Sequence, residues 1–241
     1  QISTVLAILL AVAFMVGGGI WFISSPEVSR VRIPRSKRRI GVVLARRPVL
    51  LSTITGFLLV GACAAIEAGV VASFGEKSPA SGIVLAIFSV GSLIGGLALG
   101  HRQIGPWAMA RRMLIVFVGM ALAAASLNFW WLALTLILAG IGIAPAIAVM
   151  FTIVSASVKF SETAEAYGWV GTGQLIGAAI GSAFAGFFID RFDAPGAFWV
   201  AAALAFCGFM VPTLFRRWHP DLRGKDASPL ADTEPLSTVQ P

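Results

Sequence analysis

Residues 113–158, MLIVFVGMALAAASLNFWWLALTLILAGIGIAPAIAVMFTIVSASV, run for 46 positions without a charged side chain. A helix needs about 20 apolar residues to cross a hydrocarbon core of roughly 30 Å, so this stretch is too long for one span and suits two. Asn128 divides it. A polar turn residue followed by Phe129, Trp130 and Trp131 marks the level where a membrane meets water.

Working outward from that division, the same test finds uncharged or nearly uncharged runs along the whole chain. They are Ile2 to Ile23, Val49 to Phe74 with Glu67 as its one charge, Ser78 to Gly100, Ala108 to Leu127, Trp130 to Val158, Tyr167 to Ile189 and Ala194 to Phe215. These seven runs predict an all-α, polytopic membrane protein. Composition agrees: of 241 residues, 58% are hydrophobic and 12% charged, about half the charge that a soluble domain uses to cover its surface. Cys63 and Cys207 both fall inside apolar runs and read as small hydrophobes rather than as a disulfide.

The net charge of +7 does not point to nucleic acid, because the basic residues gather between the apolar runs and no aromatic-interleaved basic stretch exists. With the first span running inward, every Lys and Arg except Lys77 and Arg191 lies on the cytoplasmic side. The positive-inside rule therefore orients the chain in a cytoplasmic membrane with its C-terminus inside. The division expected is a helix at residues 1–23, a basic cytoplasmic loop at 24–48, a six-helix bundle at 49–217 and a disordered tail at 218–241. The start at Gln1, within a few residues of a span, reads as the continuation of a longer polypeptide.

Several short patterns carry a resemblance. Gly61 to Gly69 reads GACAAIEAG, Ser89 to Leu97 reads SVGSLIGGL ahead of Arg102 and Arg111-Arg112, Gly140 to Pro145 reads GIGIAP, and Thr163 to Trp169 reads TAEAYGW. In this order and spacing they resemble helices 7, 8, 10 and 11 of the major facilitator superfamily, in particular its actinobacterial drug- and sugar-efflux-like permeases. The resemblance implies helix 6, the central loop and the C-terminal six-helix bundle of a twelve-helix carrier. Helices 1 to 5 of the same polypeptide would then be a missing partner, together with the lipid bilayer and a small-molecule substrate. The family's loop signature, Gly with Asp four residues on and then Arg, is degenerate here. Gly96 is followed by Gly100, His101 and Arg102, and the acidic member of that relay is lacking.

A transport path needs polar groups within the bilayer, where a charge costs about 2.5 to 3.5 kcal/mol on insertion scales. Glu67 is the single ionisable residue well inside a run, about two turns from the outer end. Burial would raise its pKa and let it carry a proton or pair with a cationic substrate; the alternative is a wetted carboxylate, or one paired with the other half. Gln174 offers an amide to a substrate or to a neighbouring helix. Pro145 should kink its helix and free a carbonyl. Gly173, Gly177 and Gly181, and Gly91 with Gly95, recur every four residues and make grooves for close helix approach. On the family layout those grooves lie where the two halves rock; static packing explains them equally.

No phosphate-cradling loop, no metal cluster and no Ser, His and Asp set within the membrane is present, so an enzyme is not expected, nor a metal or a cofactor. The expected function is secondary transport, with the proton gradient as the coupling source and efflux as the direction. The alternative is a multi-helix membrane scaffold that transports nothing, although such a protein has no need of Glu67.

Overall fold

A computed structural model describes residues 4–25 and 41–231. Among the described residues the regular structure is helical, with one isolated bridge between Lys159 and Leu230 and no strand. The described residues fall into two separate compact units, 4–25 and 41–231. In the first, α1 (Thr4–Ile23) is 20 residues without a charge. Most of the basic loop expected at 24–48, from residue 26 to residue 40, lies outside the described residues.

The second unit holds α2 (Arg47–Phe74), α3 (Pro79–Leu99), α4 (Ala108–Ala123), α5 (Phe129–Ser155) and α6 (Thr163–Leu214). Local chemistry sets their ends. Pro48 and Pro79 stand in the first turns of α2 and α3, where a missing N–H costs nothing, and the Ser78 hydroxyl accepts from the Ala80 N–H at 3.2 Å. Gly75 stops α2 at φ +86°, in the left-handed region that glycine enters freely. Asn128 caps α5 by accepting from the Trp130 N–H at 3.0 Å, and the Trp131 indole donates to the Leu122 carbonyl at 2.7 Å near the end of α4. The uncharged run of 46 residues is therefore broken at Asn128, as read. Its first helix stops at Ala123, short of Leu127, and its 16 residues span about 24 Å.

Helical backbone runs on both sides of Asp193, whose own φ of 55° and ψ of −159° are not helical. Asp is among the few residues that tolerate positive φ. At that residue the chain doubles back, because a Cβ on Gly196 would strike the Phe188 carbonyl, eight positions earlier and about 12 Å away along a straight helix. So α6 is two antiparallel arms, 163–192 and 194–214, joined by one residue instead of a loop.

α2 lies along α6, α3 along α5, and α4 against both α5 and α6. The core between them is Leu59, Ile66, Met113, Met120, Leu136 and Phe198. Among the described residues, four stretches, α2, α3, α5 and Phe160–Leu214, are long and apolar enough to cross a membrane. Lipid removes the hydrophobic drive for helix association, so such a bundle depends on close packing and hydrogen bonds. Cys63 and Cys207 are free thiols, the first half-buried and the second exposed.

The tail departs from the disorder expected of it as far as Leu230. Leu222 N–H donates to the Ile104 carbonyl at 3.0 Å, Leu230 N–H donates to Val158 at 2.9 Å, and Phe160 N–H donates back to Leu230 at 3.1 Å. These bonds pair tail backbone with loop carbonyls and amides that the helices leave unsatisfied.

Candidate functional site

Glu67 is the twenty-first residue of α2, seven before Phe74, about 10 Å from the helix end. The opposite face of that turn, Ala65, Ile66, Gly69 and Val70, is fully buried, and this turns Glu67 outward. Its side chain is exposed and makes no ion pair or hydrogen bond among the described residues. The burial expected around this carboxylate is thus not supplied by the bundle, because small residues on the inner face press α2 against its neighbours and leave the acid at the rim.

Gln174 behaves in the opposite way. It is half-buried on the first arm of α6, and its Nε2 is sealed from solvent without a hydrogen-bond acceptor. Gly56 of α2 makes room for it: a Cβ there would sit 3.2 Å from Gln174 Cγ and 3.6 Å from Met150 Sδ. The Thr55 hydroxyl is a second buried polar group without a partner. Unpaired buried donors are uncommon and costly, about 1 to 3 kcal/mol.

The glycine grooves are filled within the bundle. Gly173, Gly177 and Gly181 of α6 face the backbone or side chains of Thr53, Phe57 and Gly61 of α2, and Gly91 and Gly95 of α3 face Ile137 and Ile141 of α5. Gly96 touches Ala144, where a Cβ would lie 3.4 Å away. Pro145 is buried inside α5 and lacks the N–H that would bond the Ile141 carbonyl, four residues back. Gly95 stands over that same oxygen. Two features read separately in the sequence therefore meet: the proline frees a carbonyl, and a glycine admits the backbone of α3 to cover it, within reach of a Cα–H contact.

At the end of the bundle where α2, α4 and α6 begin, the sequence left a polar network unread. Arg46 donates to Glu162 Oε2 at 2.6 Å and to the Ser157 carbonyl at 2.9 Å, while Lys159 N–H donates to the same Glu162 oxygen at 3.2 Å. Glu165 accepts from the Gly41 N–H at 2.6 Å and from the Trp169 indole at 3.4 Å. Glu162 is buried to 2% exposure. This clamp ties the chain entering α2 to the start of α6. The available signal was two acids placed among positive loops, one of them inside the TAEAYGW pattern. Arg102, from the degenerate signature, is exposed beyond α3 and faces a cavity lined by arginines and no carboxylate.

No curated protein matches the chain. A family model described as Major Facilitator Superfamily matches residues 64–239, which takes in Glu67, Pro145, Gln174, the glycine grooves and most of the six-helix unit. With its all-helical architecture and apolar helices of membrane-crossing length, the chain is a multi-pass membrane protein and belongs to the major facilitator superfamily of transporters.

Proposed function

We propose that this chain forms the C-terminal bundle, with the preceding helix, of a twelve-helix carrier that exports a small molecule across the cytoplasmic membrane in exchange for protons. The observation that carries the reading is Glu67, the acid that interrupts an otherwise apolar helix interior and has no partner among the described residues. A charge inside an apolar helix costs up to about 2.5 to 3.5 kcal/mol at the bilayer centre and less toward the interface, and keeping one there is explained by use. Facing the other half, the ionised carboxylate binds a cationic substrate; protonation from outside releases it, and proton loss to the inside resets the site. Rocking of two bundles about a shared central site supplies alternating access. The Gln174 amide packs on Gly56, eleven residues and about 16 Å along α2 from Glu67, and lies apart from that carboxylate. The positive-inside distribution of Lys and Arg supports the orientation, with the C-terminus cytoplasmic.

The test uses full-length protein in liposomes bearing a pH gradient, a fluorescent lipophilic cation as substrate and an internal pH dye. Glu67→Gln should abolish both cation movement and the accompanying proton flux, and Glu67→Asp should restore part of each. Unchanged coupled transport in the Gln variant removes Glu67 from the mechanism. Sizing the chromosomally tagged product checks the half-carrier reading, which requires about five further spans of roughly 20 residues beyond this chain.

A further inference from the structure

Between the end of α3, the start of α4 and the segment after α6 lies a cavity of about 620 Å³ with five arginines in its wall: Arg102, Arg111, Arg112, Arg216 and Arg223. We propose that it is a binding site for a phosphate group, carried by an anionic phospholipid headgroup or by a soluble phosphoester. The proposal does not rest on the transport reading.

Three of the arginines are held in place. Arg112 is 7% exposed, and the one hydrogen bond it makes among the described residues runs from Nη2 to the Leu99 carbonyl at 3.3 Å, so most of its five-donor fork is left for an entering ligand. Arg216 stacks on the Trp107 ring at 5.0 Å. Arg223 is positioned by the Leu222 to Ile104 bond beside Gly105, where a Cβ would lie 3.3 Å from its Nε, and by Asp221, which accepts from Nη2 at 2.7 Å. Arg102 and Arg111 are exposed and free to close on what enters.

No carboxylate lines the cavity, and Asp221 offsets only one of the five charges. Arg102, Arg111 and Arg112 therefore face each other with like charge, an arrangement that an oxyanion relieves through paired, charge-assisted N–H···O bonds. Guanidinium groups match phosphate bidentately, which a scattered set of lysines would not do. Gln103 adds an amide to the same wall, and Trp107 belongs at a membrane interface, the depth of a headgroup.

The experiment measures the unfolding midpoint of the full chain in neutral detergent, titrated separately with phosphatidylglycerol, phosphatidylcholine and inorganic pyrophosphate. Phosphatidylglycerol or pyrophosphate should raise the midpoint saturably. The double variant R102Q/R111Q should need roughly twenty-five-fold more of it, about a factor of five for each arginine removed. Arg191→Gln, outside this cluster, should leave the titration unchanged. A response to phosphatidylglycerol alone identifies a lipid headgroup, whereas a response to pyrophosphate identifies a soluble phosphoester. The proposal is overturned if neither probe acts, if phosphatidylcholine acts equally, or if Arg191→Gln weakens binding as much as the double variant.

Discussion

His219 shows how one residue reports its surroundings. It is 5% exposed, and its Nδ1 lies 2.8 Å from the Pro220 carbonyl, which can only accept, so Nδ1 holds the proton and Nε2 is left without a partner. Burial is the main cause that pushes its pKa below 6.5; nearby Arg112 adds to it, and the Pro220 bond opposes it. A folded pKa below the unfolded one means that the unfolded segment binds the proton first. The stability of the tail is therefore complete above pH 6.5 and is lost as pH falls from there through the folded pKa. Hydrogen-exchange protection factors of residues 216–230, which correct for the intrinsic pH dependence, should fall over that window, and His219→Gln should flatten the response. Asp221 behaves differently: its hydrogen bonds from Arg223 hold it at about 2, so this exposed pair persists through the same window. Gln174 supports a second prediction. Its orphan Nε2 makes no hydrogen bond within the bundle, so Gln174→Met, which keeps the packing against Gly56, should lower stability by no more than about 0.6 kcal/mol, the average of a membrane inter-helix bond. A larger loss in the melt would make the amide structural.

Helices in lipid hold together by fit, and the glycines differ sharply in how much fit they provide. Gly95 lies against the Ile141 carbonyl freed by Pro145, whereas Gly186 has nothing within 4 Å of a prospective Cβ. Gly95→Ala should cost about 1 to 3 kcal/mol or more through overpacking. Gly186→Ala should be neutral or stabilise by up to about 1 kcal/mol through helix propensity. Melting of the two variants in detergent separates them, and equal midpoints would contradict the interface described. The four-residue spacing of Gly173, Gly177 and Gly181 was legible in the sequence, since period and residue size suffice to recognise a groove. Which helix fills a groove was not legible. A groove against the opposite half and one against α2 need the same residues, and only the packed structure shows Thr53, Phe57 and Gly61 in it.

At the scale of the molecule, the Arg46 to Glu162 pair joins elements more than a hundred residues apart. Arg46→Met leaves a carboxylate at 2% exposure without its guanidinium. The loss should be about 2 kcal/mol, below the usual cost of a broken buried pair because the Arg46 side chain is a quarter exposed, and Glu162→Gln in the same chain should recover most of it. Unaltered melting of the single variant would show that the clamp holds nothing. The helices and their order were set by the sequence alone: uncharged runs of about 20 residues must be helical in lipid, since no other open structure satisfies its backbone there. The break at Asn128 and the caps at Ser78 and Gly75 are equally local. What tertiary structure decided was everything that depends on which face meets which neighbour. It turned Glu67 out of the bundle, sealed Gln174 inside it, set Gly95 over the carbonyl freed by Pro145, and gathered five arginines from three separate segments around one cavity. Hydropathy and spacing act within a helix, along the chain, whereas these relations are contacts between helices, chosen by packing among residues far apart in sequence.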